Sequence, residues 1–134
     1  MKKVLTLLAL VFITSASLVS CSSDDGGAAT GNANLLDKWW YSPDNTTTDI
    51  RFNSDGTYQS TYTANGMTLN SDGEWEWSNE SAKEMHVFNV TGNALTEWHY
   101  KFNTITAHTM TTKFSYDDGE TWSEQAYPFT DSND

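Results

Sequence analysis

From Leu35 onward, apolar and polar positions alternate with a period of two. That period marks strands with one face buried. Asp49-Ile50-Arg51-Phe52 alternates, and Tyr58, Ser60 and Tyr62 share a face against Thr57, Gln59 and Thr61. Glu74-Trp75-Glu76-Trp77 sends two indoles one way and two carboxylates the other. Thr96, Trp98, Tyr100 and Phe102 oppose Glu97, His99 and Lys101. The threonines between Thr104 and Thr112 suit a pleated, half-buried surface. No ten-residue stretch beyond residue 35 carries a helical period.

Turn residues punctuate the pattern. Asn53-Ser54-Asp55-Gly56, Asn65-Gly66, Asn70-Ser71-Asp72-Gly73, Gly92-Asn93 and Asp117-Asp118-Gly119 all tolerate the positive φ of tight hairpins. The spacing predicts strands near 37–43, 47–53, 57–64, 67–70, 73–78, 85–91, 94–102, 104–116 and 121–129. Short links favour an antiparallel meander. With one face apolar and no Pro or Lys clusters guarding edges, closure is the simplest way to remove them. The expected fold is all-β, a small antiparallel up-and-down barrel.

The first residues follow a different pattern. Met1-Lys2-Lys3 is basic, Val4 to Ile13 is uncharged and apolar, and Thr14 to Ser17 are small. This is the order of a secretory signal peptide, and the run is shorter than the ~20 residues of a spanning helix. Leu18-Val19-Ser20-Cys21 resembles the lipobox of bacterial lipoproteins. The resemblance implies cleavage before Cys21, a diacylglycerol on its thiol and an acylated amino terminus. Several acyl chains anchor durably where one does not. Ser22 in place of Asp favours the Gram-negative outer membrane in such sorting. Ser22-Ser23-Asp24-Asp25-Gly26-Gly27 resembles the acidic export signal of surface-exposed lipoproteins and also reads as a solvated linker, so the surface and periplasmic faces both stay open. The expected organisation is a signal peptide (1–20), a lipidated Cys21 with a flexible tether (21–34), a β-barrel domain (35–130) and a disordered tail (131–134).

Charge and composition narrow the partners. The chain carries 7 Lys and Arg against 18 Asp and Glu, for a net charge of −11. Removal of Lys2 and Lys3 with the signal makes it −13. Nucleic acid is not expected, because that binding runs on neutralising phosphates with cations. One Cys excludes an internal disulfide and any multi-cysteine zinc site. Of the 18 aromatics, all but Phe12 lie between Trp39 and Phe129. They supply the core that a domain of this size needs.

Three segments resemble a lipocalin-like domain of bacterial lipoproteins. Leu35-Leu36-Asp37-Lys38-Trp39 resembles the opening L-x-G-x-W, whose Trp packs across the barrel floor, with Asp37 where the family prefers Gly. Ile50 to Tyr58 resembles the hairpin F-x-x-D-G-T-Y, and Gly73-Glu74-Trp75 the third strand. Phe102 to Phe114, with Ile105 and Met110, loosely resembles a late strand pattern. The resemblance implies about eight strands, so segment 67–70 is expected to merge with a neighbour. Ser115 to Trp122 also fits S-x-D-x-G-x-T-W, the Asp-box of sialidase-like propellers, in which Asp, Gly and Thr set a hairpin over the Trp.

No catalytic constellation emerges. No nucleophile elbow surrounds a Ser, and Glu74 and Glu76 alternate away from the indoles. His86, His99 and His108 would make a zinc site only if they converged, and His99 falls on the outward face. The expectation is a non-enzyme with no cofactor or metal. The inward aromatics are the candidate ligand contacts: Trp39, Tyr41, Phe52, Tyr58 and Tyr62, then Trp75, Trp77, Trp98, Tyr100 and Phe102. They either fill the barrel or line a pocket for a small apolar ligand. If Trp39 is the floor residue, Trp40 points outward. Trp40 would then join Asp117, Gly119 and Trp122 as a surface contact for glycan or protein.

Overall fold

The computed structural model describes residues 33–133, so the signal segment and Cys21 lie outside it. Eight strands follow in chain order: β1 (Trp39–Trp40), β2 (Asp49–Phe52), β3 (Thr57–Ala64), β4 (Met67–Asn79), β5 (Glu84–Thr91), β6 (Trp98–Ile105), β7 (Thr109–Ser115) and β8 (Tyr127–Thr130). Each pairs with the next, always antiparallel. The sheet curls until Tyr41 bridges Thr130, with N–H···O bonds of 2.7 and 3.0 Å. The result is the nearly closed up-and-down barrel that the alternation implies.

β4 unites segments 67–70 and 73–78, as the strand count requires. Asn70-Ser71-Asp72-Gly73, read as a turn, is strand because it holds a bulge. Asp72 faces Thr91 and Glu74 faces Phe88, so Gly73 opposes two residues, Asn89 and Val90. Asn89 takes the left-handed φ of 53° that such an insertion needs. A Cβ on Gly73 would lie 2.9 Å from Val90 Cγ2 and 3.0 Å from the Phe88 carbonyl oxygen. Two other boundaries move. β6 runs to Ile105 and turns at residues 106–108, and residues 121–126 are loop. Neither turn carries a Gly or Pro to announce it.

The lead-in to β1 keeps its tight geometry without glycine. Asp37 sits at φ 63°. Its N–H donates to the Phe52 carbonyl at 2.7 Å, and its carboxylate accepts the Ser54 N–H at 2.8 Å. Asp tolerates this region better than most residues because its side chain bonds locally.

The floor residue is Trp40, not Trp39. Trp40 is fully buried, pairs with the buried Ile50, and donates its indole N–H to the Leu35 carbonyl at 2.8 Å. Trp39 and Tyr41, expected inside, fall on the opposite parity and are half-buried. Trp40 is thereby withdrawn as a surface contact. The resemblance to L-x-G-x-W points to the tryptophan one position too early, and residues 36–38, which are not strand, carry no alternation to correct it. Around Trp40 the lower barrel is packed with Phe52, Met85, Val87, Phe102 and Met110. Phe52 meets Tyr58, Trp75, Tyr100 and Phe102 with ring centroids 5.5–6.2 Å apart. Asp131, assigned to the tail, is held by Lys38 Nζ at 3.0 Å and His108 Nδ1 at 3.1 Å.

Candidate ligand-binding site

An up-and-down barrel has two ends. The β2–β3, β4–β5 and β6–β7 turns share the filled floor end. The other end carries the β1–β2 loop, the β3–β4 hairpin and the β5–β6 and β7–β8 loops. Among the described residues, the five exposed large apolar side chains are Tyr62, Met67, Leu69, Leu95 and Tyr116. All five belong to this second end, the mouth.

The mouth is an open cup in two parts. One cavity, about 500 Å³, is lined by Thr48, Ser60, Tyr62, Leu69, Ser71 and Asn93 among others. The second, about 320 Å³, is lined chiefly by Trp98, Tyr100, Phe114, Tyr116 and Tyr127, with Leu95. Thr48 and Asn93 border both, so the parts adjoin. No residue lining either part is ionisable as Asp, Glu, Lys, Arg or His.

Strand alternation supplies these side chains. Trp98 and Tyr100 continue the inward face of β6, and Phe114 that of β7. Phe114 stands 5.1 Å from Tyr100 and 5.0 Å from Tyr127, ring to ring. Below them the Tyr58 and Tyr100 hydroxyls share a hydrogen bond of 3.1 Å. Burial pushes the Tyr58 hydroxyl up to about 12 and Tyr100 well above its ordinary value. Both phenols therefore stay neutral at physiological pH.

The ten aromatics expected inside separate by face and by height. Tyr62, Trp98 and Tyr100 line the cup. Phe52, Tyr58 and Phe102 are buried core. Trp75 and Trp77 pack half-buried against that core near the floor, Trp75 donating its indole N–H to the Asn53 carbonyl at 2.9 Å. Trp39 and Tyr41 are on the outer parity. Sequence reasoning passed over Phe114, Tyr116 and Tyr127, and the polar Ser60, Ser71 and Asn93. The available signal was Ser60 and Ser71 themselves, which are polar residues at inward positions.

The Asp-box hairpin is closed on itself. Asp117 Oδ1 accepts from Ser115 Oγ at 2.7 Å and from the Thr121 N–H at 2.8 Å, and Asp117 Oδ2 accepts from the Thr121 hydroxyl. These bonds hold the Asp117 carboxyl down at about 2. Gly119, at φ 80°, passes over the Trp122 ring, and Lys101 Nζ lies 5.6 Å from that ring's centroid. The motif builds its own turn.

The three histidines do not converge. His86 and His99 are cross-strand partners with rings stacked at 4.5 Å and 8°. His108 is at the floor end, against Asp131. His99 is outward, as expected, yet buried beneath the β7–β8 loop. It lines a hollow of about 150 Å³ with Glu97, Asp117 and Asp118, and this hollow shares Trp98 and Tyr116 with the aromatic part of the cup.

Basic charge is segregated along the barrel. Glu97, Asp117, Asp118, Glu120 and Glu124 all lie in the mouth-end loops. The basic residues among those described are elsewhere. Lys38, Arg51 and Lys83 are toward the floor, and Lys101 and Lys113 face each other on the outer wall. Comparison of the chain with family models, curated proteins and solved structures finds no match.

Proposed function

We propose that the chain is a lipid-anchored cell-envelope lipoprotein, held in the Gram-negative outer membrane through Cys21. Its lipocalin-like barrel binds a small apolar ligand at the open end. One observation carries the ligand reading: of the five exposed large apolar side chains among the described residues, Tyr62, Leu69, Leu95 and Tyr116 line the two adjoining parts of one cup. Scattered apolar residues are ordinary on a surface, whereas a contiguous set rimmed by polar groups marks an interaction site. The cup volumes fall within the ~300–1,000 Å³ usual for small-molecule pockets. The packed lower barrel leaves the open end as the region available to a ligand. The role is binding, and no catalytic step is assigned.

The competing reading, a glycan- or protein-binding surface built on Trp40 and the Asp-box, has lost its main contact, because Trp40 is buried. Two measurements test the proposal. The neutral fluorophore prodan should brighten on titration with the protein, and Tyr116→Ala should weaken that response. An unchanged spectrum would remove the ligand reading. For the anchor, Cys21→Ser should move the protein from the membrane fraction to the soluble fraction. Retention in the membrane would remove the lipidation reading.

A further inference from the structure

The cup and the hollow beside it differ in chemistry in a way that selects a ligand. The cup offers aromatic faces without a charge, and its neighbour across Trp98 and Tyr116 offers carboxylates. His99, which lines that hollow, is 9% exposed, and its buried Nε2 lacks a hydrogen bond. Asp118 Oδ1 lies 3.4 Å from Nε2 yet outside hydrogen-bonding geometry. A buried polar nitrogen without a partner costs free energy that a bound polar group would recover. Glu97, beside Trp98 in sequence, lines the same hollow and reaches His86 Nε2 at 3.3 Å. Among the described residues no Lys or Arg lies in the mouth-end loops or lines the cup or the hollow.

We propose that the ligand is an organic ammonium, with an apolar or aromatic body against Trp98, Tyr100 and Phe114 and a protonated amine directed at the Asp118 and Glu97 carboxylates beside His99. This rests on the ligand reading of the mouth and names its chemical class. An ammonium supplies N–H donors and no acceptor, which suits a site whose charged groups are carboxylates. Aromatic faces attract cations through their quadrupoles. The acidic rim raises the local concentration of cations and repels carboxylates such as fatty acids.

The test uses three compounds with one body: 2-phenylethylamine, 2-phenylethanol and 3-phenylpropionate. Each is titrated into the full chain carrying Cys21→Ser, with calorimetry and Trp fluorescence as readouts. The amine should bind at least roughly tenfold tighter than the alcohol, and the carboxylate weakest of all. Raising NaCl from about 50 to 500 mM should weaken the amine several-fold and leave the alcohol unchanged. The exposed pair Glu97→Gln and Asp118→Asn should bring amine and alcohol within about twofold of each other, without changing the alcohol. Alcohol binding equal to or tighter than amine binding would overturn the proposal while prodan binding upheld the mouth as a ligand site. Failure of prodan and all three compounds would overturn both.

Discussion

At the scale of single residues, two neighbouring tryptophans take opposite fates. Trp40 is fully buried with its indole N–H satisfied, and Trp39 is half-buried opposite Arg51. Trp40→Ala should cost about 3–5 kcal/mol in urea unfolding, the range for a large aromatic removed from a core. Trp39→Ala should cost clearly less, and equal losses would contradict the parity assigned to β1. Asp117 makes a different prediction. Its carboxyl is held down to about 2 by bonds from Thr121 and Ser115, below the ordinary carboxylate value. Its contribution is therefore present above pH ~4 and lost as pH falls toward ~2, because protonation removes the acceptor. Acid titration followed by NMR should show the Trp122 indole and Thr121 amide signals moving together in that window. Asp117→Ala should abolish the joint movement. Movement centred near pH 4 would mean that the hairpin bonds do not hold the carboxylate.

At the scale of elements, β4 is the instructive strand. Asn70-Ser71-Asp72-Gly73 has turn chemistry, and the strand passes straight through it. The glycine serves the bulge with Asn89 and Val90 rather than a reversal of the chain. Gly73→Ala should destabilise by about 1–3 kcal/mol, since the new methyl must displace Val90 or the Phe88 carbonyl. Gly66→Ala provides the contrast, because open space surrounds it and only its φ of 79° resists. A Gly73→Ala protein as stable as the parent in thermal unfolding would show that the close approach is not maintained. The β6–β7 turn is the reverse case. Thr106-Ala107-His108 reverses the chain with no glycine, using the Thr106 hydroxyl to accept the His108 and Thr109 N–H groups at 3.3 and 2.9 Å. Ser and Thr hydroxyls mimic a backbone turn in this way, weakly enough that composition alone does not reveal it.

At the scale of the whole molecule, closure is the weak joint. β1 has two residues, and its seam with β8 rests on the Tyr41–Thr130 bridge. Lys38 braces the joint from the floor by bonding Asp131 and the Ala107 carbonyl, with its ammonium 4.3 Å from the Trp40 ring centroid. Amide exchange should be faster at Tyr41 and Thr130 than in the eight paired residues of β3. Lys38→Met should speed the seam amides further and leave β3 unchanged. Uniform protection around the barrel would show that closure is as strong as the ladder.

Much of this protein was legible in its residues because the relevant signals are local. A period of two, turn residues at short intervals and aromatics on one parity are properties of neighbouring side chains. They determine an all-β meander and the inward identity of Phe52, Tyr58, Trp98, Tyr100 and Phe102. The need to merge segment 67–70 followed from counting strands. Tertiary structure decided the rest. Parity is lost across the non-strand residues 36–38, so only the pairing of Trp40 with Ile50 assigns the floor residue. Burial of the outward His99 depends on a loop about twenty residues downstream folding back over it. The height at which aromatics stop filling and begin to line a cup depends on where each strand enters the closed sheet. Alternation assigns a face to each side chain and carries no information about its depth along the barrel axis.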